Sequence, residues 1–389
     1  MRIRLKAVLS ALLVAGLAIG GCGGGGDAAV SVQGKAAVAE HYADLAHGAY
    51  GASVASAEQM GEAIDGFLER PTQARLDAAR QAWIGARDDY VVTEAFRFYG
   101  GPIDAPKTGP EGLLNAWPMD EAYVDYVEDD SDAGIVNDRG AYPRITEAVI
   151  VEGNEKGGET NISSGWHAIE FLLWGQDRSQ DGPGARSARD YSTARNARRR
   201  ATYLRLTTQR LVSDLRRVQA AWVPQRGGYR EEFLDDPDAA LTKILRGIGA
   251  LNTGELAGER MAVAFESADQ EDEHSCFSDN TNADVVNDLK GIRMVYTGDG
   301  PGGAAPAGAS LDALLTEADP DLARELRAAL AATVARAVAF PAPFERMIAA
   351  PRRSRLHRAM AETIAAIEAQ GELLARAATA LGVKVNFEV

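Results

Sequence analysis

The stretch Gly165-Trp166-His167-Ala168-Ile169-Glu170-Phe171-Leu172-Leu173-Trp174-Gly175-Gln176-Asp177 restricts the folds open to this chain more than any other. Ser163 or Ser164 can cap a short helix here, and Gly175 can end it. Nearly every residue between them is apolar, all the way round the wheel, so the helix has to be buried on every side. Only His167 and Glu170 break the pattern. At i, i+3 they project from one face, about 5–6 Å apart at Cβ. An imidazole and a carboxylate buried this way cost several kcal/mol unless something completes them. The completing groups are other side chains, water or a metal ion.

Composition narrows the surroundings of that helix. The chain has 389 residues, 46% hydrophobic and 25% charged, as expected for a globular protein of about two domains. Ala, Leu, Arg and Glu dominate long stretches, which favours helices. Arg2, Arg4 and Lys6 precede an apolar run, residues 7–21, that is too short to span a bilayer as a mature helix. The run ends Ile19-Gly20-Gly21-Cys22, the pattern of a lipoprotein signal peptide (1–21) with Cys22 as the lipidated residue. Residues 22–33, with four consecutive glycines, form a flexible tether. These features predict a bacterial envelope protein, lipid-anchored and facing the periplasm. No Asp follows Cys22, which by analogy favours the outer membrane. Removing the signal changes the net charge from −15 to −18, a balance that argues against nucleic acid as a partner. Cys276 is the only other cysteine, so with Cys22 acylated no intramolecular disulfide is available.

Periodicity predicts an all-α fold of two tandem helical bundles with long irregular loops: an N-terminal domain over 34–226, carrying the buried motif, and a C-terminal domain over 227–389. Helices are expected at 34–68 and 72–99, then, after an irregular segment at 103–160, at 192–222, 237–267, 283–296, 311–316, 320–339 and 353–381. Gly227-Gly228 marks the boundary, and the alternating tail 383–387 suits a short extended segment. The second helix carries Trp83, Arg87, Tyr90, Glu94 and Arg97 at spacings of 4, 3, 4 and 3, a core seam in which three of five residues are charged. With two aromatics on the same face, the stripe is expected to turn toward a shared cavity rather than solvent.

The Gly165-Trp166-His167-Ala168-Ile169-Glu170 segment resembles the Gly-x-His-x-x-Glu signature of the imelysin family of bacterial envelope proteins. Further blocks carry the resemblance: residues 83–104, Asn115-Ala116-Trp117-Pro118-Met119-Asp120, Leu173-Trp174-Gly175-Gln176-Asp177 and residues 271–279. Within the family the chain is most similar to the iron-regulated protein A branch. The resemblance implies two helical bundles with Gly165, His167 and Glu170 near their interface, and a periplasmic role in iron acquisition that involves an iron-transport partner protein. Some members are described as insulin-cleaving peptidases.

The residues themselves favour metal binding over peptide cleavage. A zinc hydrolase places two ligands and a base on one helix as His-Glu-x-x-His, and none of the five histidines has that context. Helical di-iron sites instead use inward carboxylates with Glu-x-x-His pairs, and this chain has the same residue types in reversed order. Iron accepts imidazole and carboxylate together, which makes it a better candidate than zinc. The expected metal set is His167, Glu170, Glu94 and His274. Arg87, Tyr90 and Arg97 are expected to bind an anionic ligand or to pair with Glu94. The alternatives are a metal-dependent envelope peptidase and a ligand-free scaffold in which the His/Glu pair only holds two domains in register.

Overall fold

Ser31 Oγ accepts the Gly34 N–H (3.1 Å) and starts α1 (Val32–Glu69), whose buried Val38, Tyr42, Leu45, Ala49 and Tyr50 follow helical spacing. The computed structural model describes residues 31–179, 181–300 and 309–387; the expected signal peptide and residues 22–30 of the expected tether lie outside them, while α1 already takes in Val32 and Gln33 at the tether's end. The fold is all-helical, and no strand longer than an isolated Val127–Asp130 bridge occurs among the described residues. No helix among them is long and apolar enough to cross a membrane. The tail at 383–387 forms neither helix nor strand.

Thr72 precedes α2 (Gln73–Val91), which is shorter than its sequence pattern predicts. At Val92 the backbone tightens into a 3₁₀ turn (Val92–Phe96), and Phe98 takes φ 71°. The cause lies in the second half of the chain. Gly291 approaches so closely that a Cβ there would lie 2.5 Å from the Val92 carbonyl oxygen, leaving no room for α2 to continue straight. The irregular segment then forms four short helices, Glu111–Leu114, Glu121–Val124, Gly134–Asn137 and Glu147–Gly153. Asp125 pins this segment by accepting from Arg186 (2.7 Å) and Arg200 (2.8 Å), all three side chains being buried.

The motif helix α3 (Gly165–Trp174) is buried at all ten positions. Gly165 has φ 85°, and a Cβ there would meet the Leu114 carbonyl oxygen at 2.4 Å, so only glycine fits this entry. Helix α4 (Ala197–Ala221) packs on α1 and α3. In the second half, α5 (Pro237–Ala250) runs without a break through a π-helical stretch (Leu251–Ala262) into Val263–Ser267. It is followed by α6 (Thr281–Thr297), α7 (Pro320–Val338) and α8 (Arg355–Ala380). Helices at Tyr229–Asp235 and Phe344–Ile348 were not anticipated; at seven and five residues they are too short to show periodicity.

One apolar cluster runs through both halves. Tyr42 of α1 meets Phe96 (5.1 Å between ring centroids), Trp222 (5.9 Å) and Phe233 (5.5 Å). Helix α6 lies across α2 and the 92–96 turn. This crossing brings the charged stripe of α2, the motif helix and the 270–280 segment to a common centre.

Candidate functional site

Trp83, Arg87, Tyr90, Glu94 and Arg97 are all buried, and the stripe faces the motif helix and α6 rather than solvent. Trp83 donates its indole N–H to the Trp166 carbonyl (3.2 Å). Arg87 forms a two-point contact with Asp284 of α6 (Nη2–Oδ2 3.0 Å, Nε–Oδ1 3.3 Å) and also donates to Asn115 Oδ1. Glu94 lies between Arg97 and Arg260, with Arg260 Nη2 2.6 Å from its Oε2. Arg97 reaches Glu111 (2.8 Å), and Arg260 reaches Glu255 and Asp288 (2.8 Å each). Arg87 and Arg97 thus carry carboxylate partners, and Tyr90 Oη has no hydrogen-bond partner.

His167 and Glu170 meet each other first: Nδ1 lies 3.1 Å from Oε2, with both side chains fully buried. The other carboxyl oxygen of Glu170 accepts from Ser278 twice, from its N–H (3.0 Å) and its hydroxyl (2.6 Å). Burial pushes Glu170 up to about 8, against the Ser278 hydrogen bonds. Burial, reinforced by the Arg87 charge, holds His167 well below its ordinary value. The pair is therefore neutral near pH 7. Because Oε1 already accepts two donors, the carboxyl proton belongs on Oε2, facing His167 Nδ1. That places the imidazole proton on Nε2, which has no partner.

His274 closes the other side. Its ring lies 4.9 Å from that of His167, and its Nδ1 lies 2.9 Å from Asp284 Oδ2. Burial and the Arg260 charge lower His274 to about 4, although Asp284 opposes them. Burial works to raise Asp284 itself, but Arg87 and His274 outweigh it and hold the carboxyl far below the usual range. The Glu94 carboxyl, also opposed by burial, is held at about 2 by Arg97 and Arg260.

A cleft of about 530 Å³ opens beside this network, lined by Trp117, His274, Arg97, Arg260, Glu111 and Glu255 among others. Trp117 lies 4.8 Å from the His167 ring, so His167 stands directly behind the cleft wall that Trp117 and His274 build. Among the described residues no group of three or more His, Cys, Asp or Glu side chains converges to hold one metal ion. A bare ion would find the His167 Nε2 position, with Glu94 and His274 turned to other partners. The described side chains thus supply no complete coordination sphere for a bare ion.

Sequence reasoning missed Asp284, Asp288, Arg260 and Ser278. Asp284 and Asp288 are an i, i+4 acidic pair on α6, but they stand among Asn282, Asn287, Lys290 and Arg293, so their burial left no mark in the sequence. Arg260 carried no mark either, because the π-helical stretch changes which residues share its face.

The geometry agrees with what the chain is similar to. The imelysin (Peptidase_M75) family model matches residues 46–373. Iron-regulated protein A of Synechococcus elongatus is 29% identical over 307 residues, covering 78% of this chain and 75% of that protein. Among solved structures, a Parabacteroides distasonis protein described as an iron-regulated protein A precursor superposes with a TM-score of 0.69 at 18% identity, over 90% of this chain and 96% of that one. An imelysin-like protein from Psychrobacter arcticum gives 0.66 at 16% identity, over 92% and 99%. With the signature residues buried at the meeting of its two halves and the family model spanning most of its length, this chain belongs to the imelysin family.

Proposed function

We propose that the protein is an envelope-anchored lipoprotein of iron acquisition. It takes an iron-containing ligand, iron carried with small oxygen-donor ligands of its own, into the cleft beside His167. The observation that carries this reading is the unpartnered Nε2 of the buried His167, directly behind Trp117 and His274. A buried donor or acceptor left unsatisfied costs about 1–3 kcal/mol, so its retention calls for a reason. Were a cation held here, His167 would present Nε2 to it and Glu170, ionised with loss of one proton to solvent, would accept a hydrogen bond from the Nδ1 proton. Affinity then rises with pH toward the Glu170 value of about 8. The iron-regulated relative supports the choice of metal. Lipidation at Cys22 would hold the protein at the periplasmic face of the outer membrane, where an iron-transport partner would receive the ligand.

Peptide cleavage is the weaker reading. It needs an exposed base, whereas Glu170 is fully buried and closed off by Ser278. The deciding experiment titrates ferric citrate into protein purified without a metal-binding tag, with bound iron measured by elemental analysis. His167→Ala and Glu170→Ala should each abolish binding while leaving the helical content largely intact. Lower melting temperatures with unchanged iron uptake would assign the pair to a ligand-free scaffold. Chelator-sensitive cleavage of insulin, lost in Glu170→Gln, would favour the peptidase.

A further inference from the structure

Two arginine-rich segments stand out in this acidic chain, and tertiary structure treats them in opposite ways. On α4, the guanidiniums of Arg200, Arg205, Arg210, Arg216 and Arg217 meet carboxylates of Asp125, Asp65, Asp214 and Glu58. Arg199 is taken up by backbone carbonyls. Apart from the exposed Arg198, the arginines of that helix are thus neutralised or taken up in space. The second segment, Pro351-Arg352-Arg353-Ser354-Arg355-Leu356-His357-Arg358, opens α8. Arg352, Arg353, Arg355 and Arg358 are exposed, and no carboxylate among the described residues lies within ion-pair distance of any of them. Among the described residues their one side-chain hydrogen bond is internal, from Arg358 to the Arg353 carbonyl (2.7 Å). Exposed Pro351 and half-exposed Leu356 interleave the charges.

Its position matters as much as its charge. Lys35, in the first turn of α1, pairs with Asp238 at the start of α5 (2.6 Å). From there the helical run 237–267 continues to Phe265, whose ring lies 4.6 Å from that of His357. At about 1.5 Å per residue, the patch lies roughly 40 Å along this run from the end where the tether enters. The two ends of one rigid rod thus carry the tether and a bare cationic surface.

We propose that the 352–358 patch docks onto an anionic phospholipid surface and lays the 237–267 helical run along the membrane. Charge complementarity selects the occupant. A chain whose net charge is −18 without its signal is repelled by an anionic bilayer almost everywhere, so an unneutralised cluster of four arginines fixes which face approaches. Interleaved apolar residues between the cations suit the headgroup boundary. The orienting role rests on the anchoring proposed above; the lipid affinity itself does not.

The test uses the chain from residue 22 onward with Cys22→Ser, so that no acyl chain contributes. Sedimentation with vesicles of phosphatidylethanolamine and phosphatidylglycerol (70:30) is compared with pure phosphatidylcholine, in low and high salt. The expected result is salt-sensitive binding to the anionic vesicles only, weakened at least tenfold by combined Arg352→Glu, Arg353→Glu, Arg355→Glu and Arg358→Glu. A control reverses four exposed cations elsewhere (Lys107, Arg144, Arg198 and Arg293), and should retain most of the binding at the same net charge. Failure of the unmodified patch to bind anionic vesicles would overturn the proposal, as would equal loss in the control. Binding to polyglutamate without binding to vesicles would also overturn it and assign the patch to an acidic protein. Circular dichroism of both variants separates these outcomes from misfolding. No iron enters the assay, so its failure leaves the cleft reading untouched.

Discussion

Arg87 and Asp284, 197 residues apart, meet in a fully buried two-point contact that joins the second helix to the helix following the 270–280 segment. Around it gather His274, Ser275, Asn280 and Asn115. Removing one partner of such a pair leaves a buried charge uncompensated. Asp284→Ala is therefore expected to cost about 3–5 kcal/mol in urea unfolding. The double variant Arg87→Met with Asp284→Leu should recover part of that loss, because it removes both charges together.

Gly165 is required by backbone geometry, whatever ligand the motif serves. At φ 85°, with the Leu114 carbonyl 2.4 Å from any Cβ, Gly165→Ala combines a left-handed alanine with a backbone clash. The expected cost is at least about 2 kcal/mol, with a matching fall in soluble yield. Gly61→Ala is the control: in mid-helix, where an added Cβ makes only an ordinary 3.7 Å contact with Thr208, it should be neutral or slightly stabilising.

Stability should fall as pH rises from mildly acidic to alkaline. Burial raises Glu170 and Asp288 to about 8 and Glu273 to about 9. These folded values lie above the unfolded ones, near 4. The native state then holds more protons than the unfolded chain between about pH 4 and pH 9, and the stabilisation is lost through that window. Asp284 and Glu94, held low by their arginines, act oppositely: their contribution is present above about pH 4 and is lost as pH falls toward their folded values. Denaturation midpoints measured from pH 3 to 9 should therefore peak on the acid side of neutrality. Glu170→Gln should flatten the limb between pH 5 and 8 by about one proton's worth of slope.

Anchoring is tested at Cys22. With Cys22→Ser, the protein is expected to appear in the soluble periplasmic fraction or to accumulate unprocessed. Membrane association that persists unchanged, with no acyl label on the native chain, would remove the lipoprotein reading.

Much of this molecule was legible in its residues. Helical periodicity placed the long helices within a few residues except at the early end of α2, since amphipathic spacing is a local property that burial of one face enforces. An all-apolar helix interrupted by His167 and Glu170 announced a buried polar pair, because desolvation makes such residues costly without partners. The charged stripe from Trp83 to Arg97 likewise declared that it was not a solvated face. The partners were a different matter. That Glu94 would be shared between Arg97 and Arg260, that Ser278 would donate twice to the buried Glu170, and that Asp284 would take both Arg87 and His274 followed from the crossing of α6 over α2. The close approach at Gly291, which cut α2 short, and the π-helical turn that brought Arg260 inward had no local signature. The basic helix α4 and the basic segment at 352–358 read alike in sequence, and only the packed chain distinguished them. Acids from distant segments reached one and left the other bare. Local pattern determines which residues must be buried or paired; long-range packing chooses the partner, and with it the charge, the proton and the accessible surface.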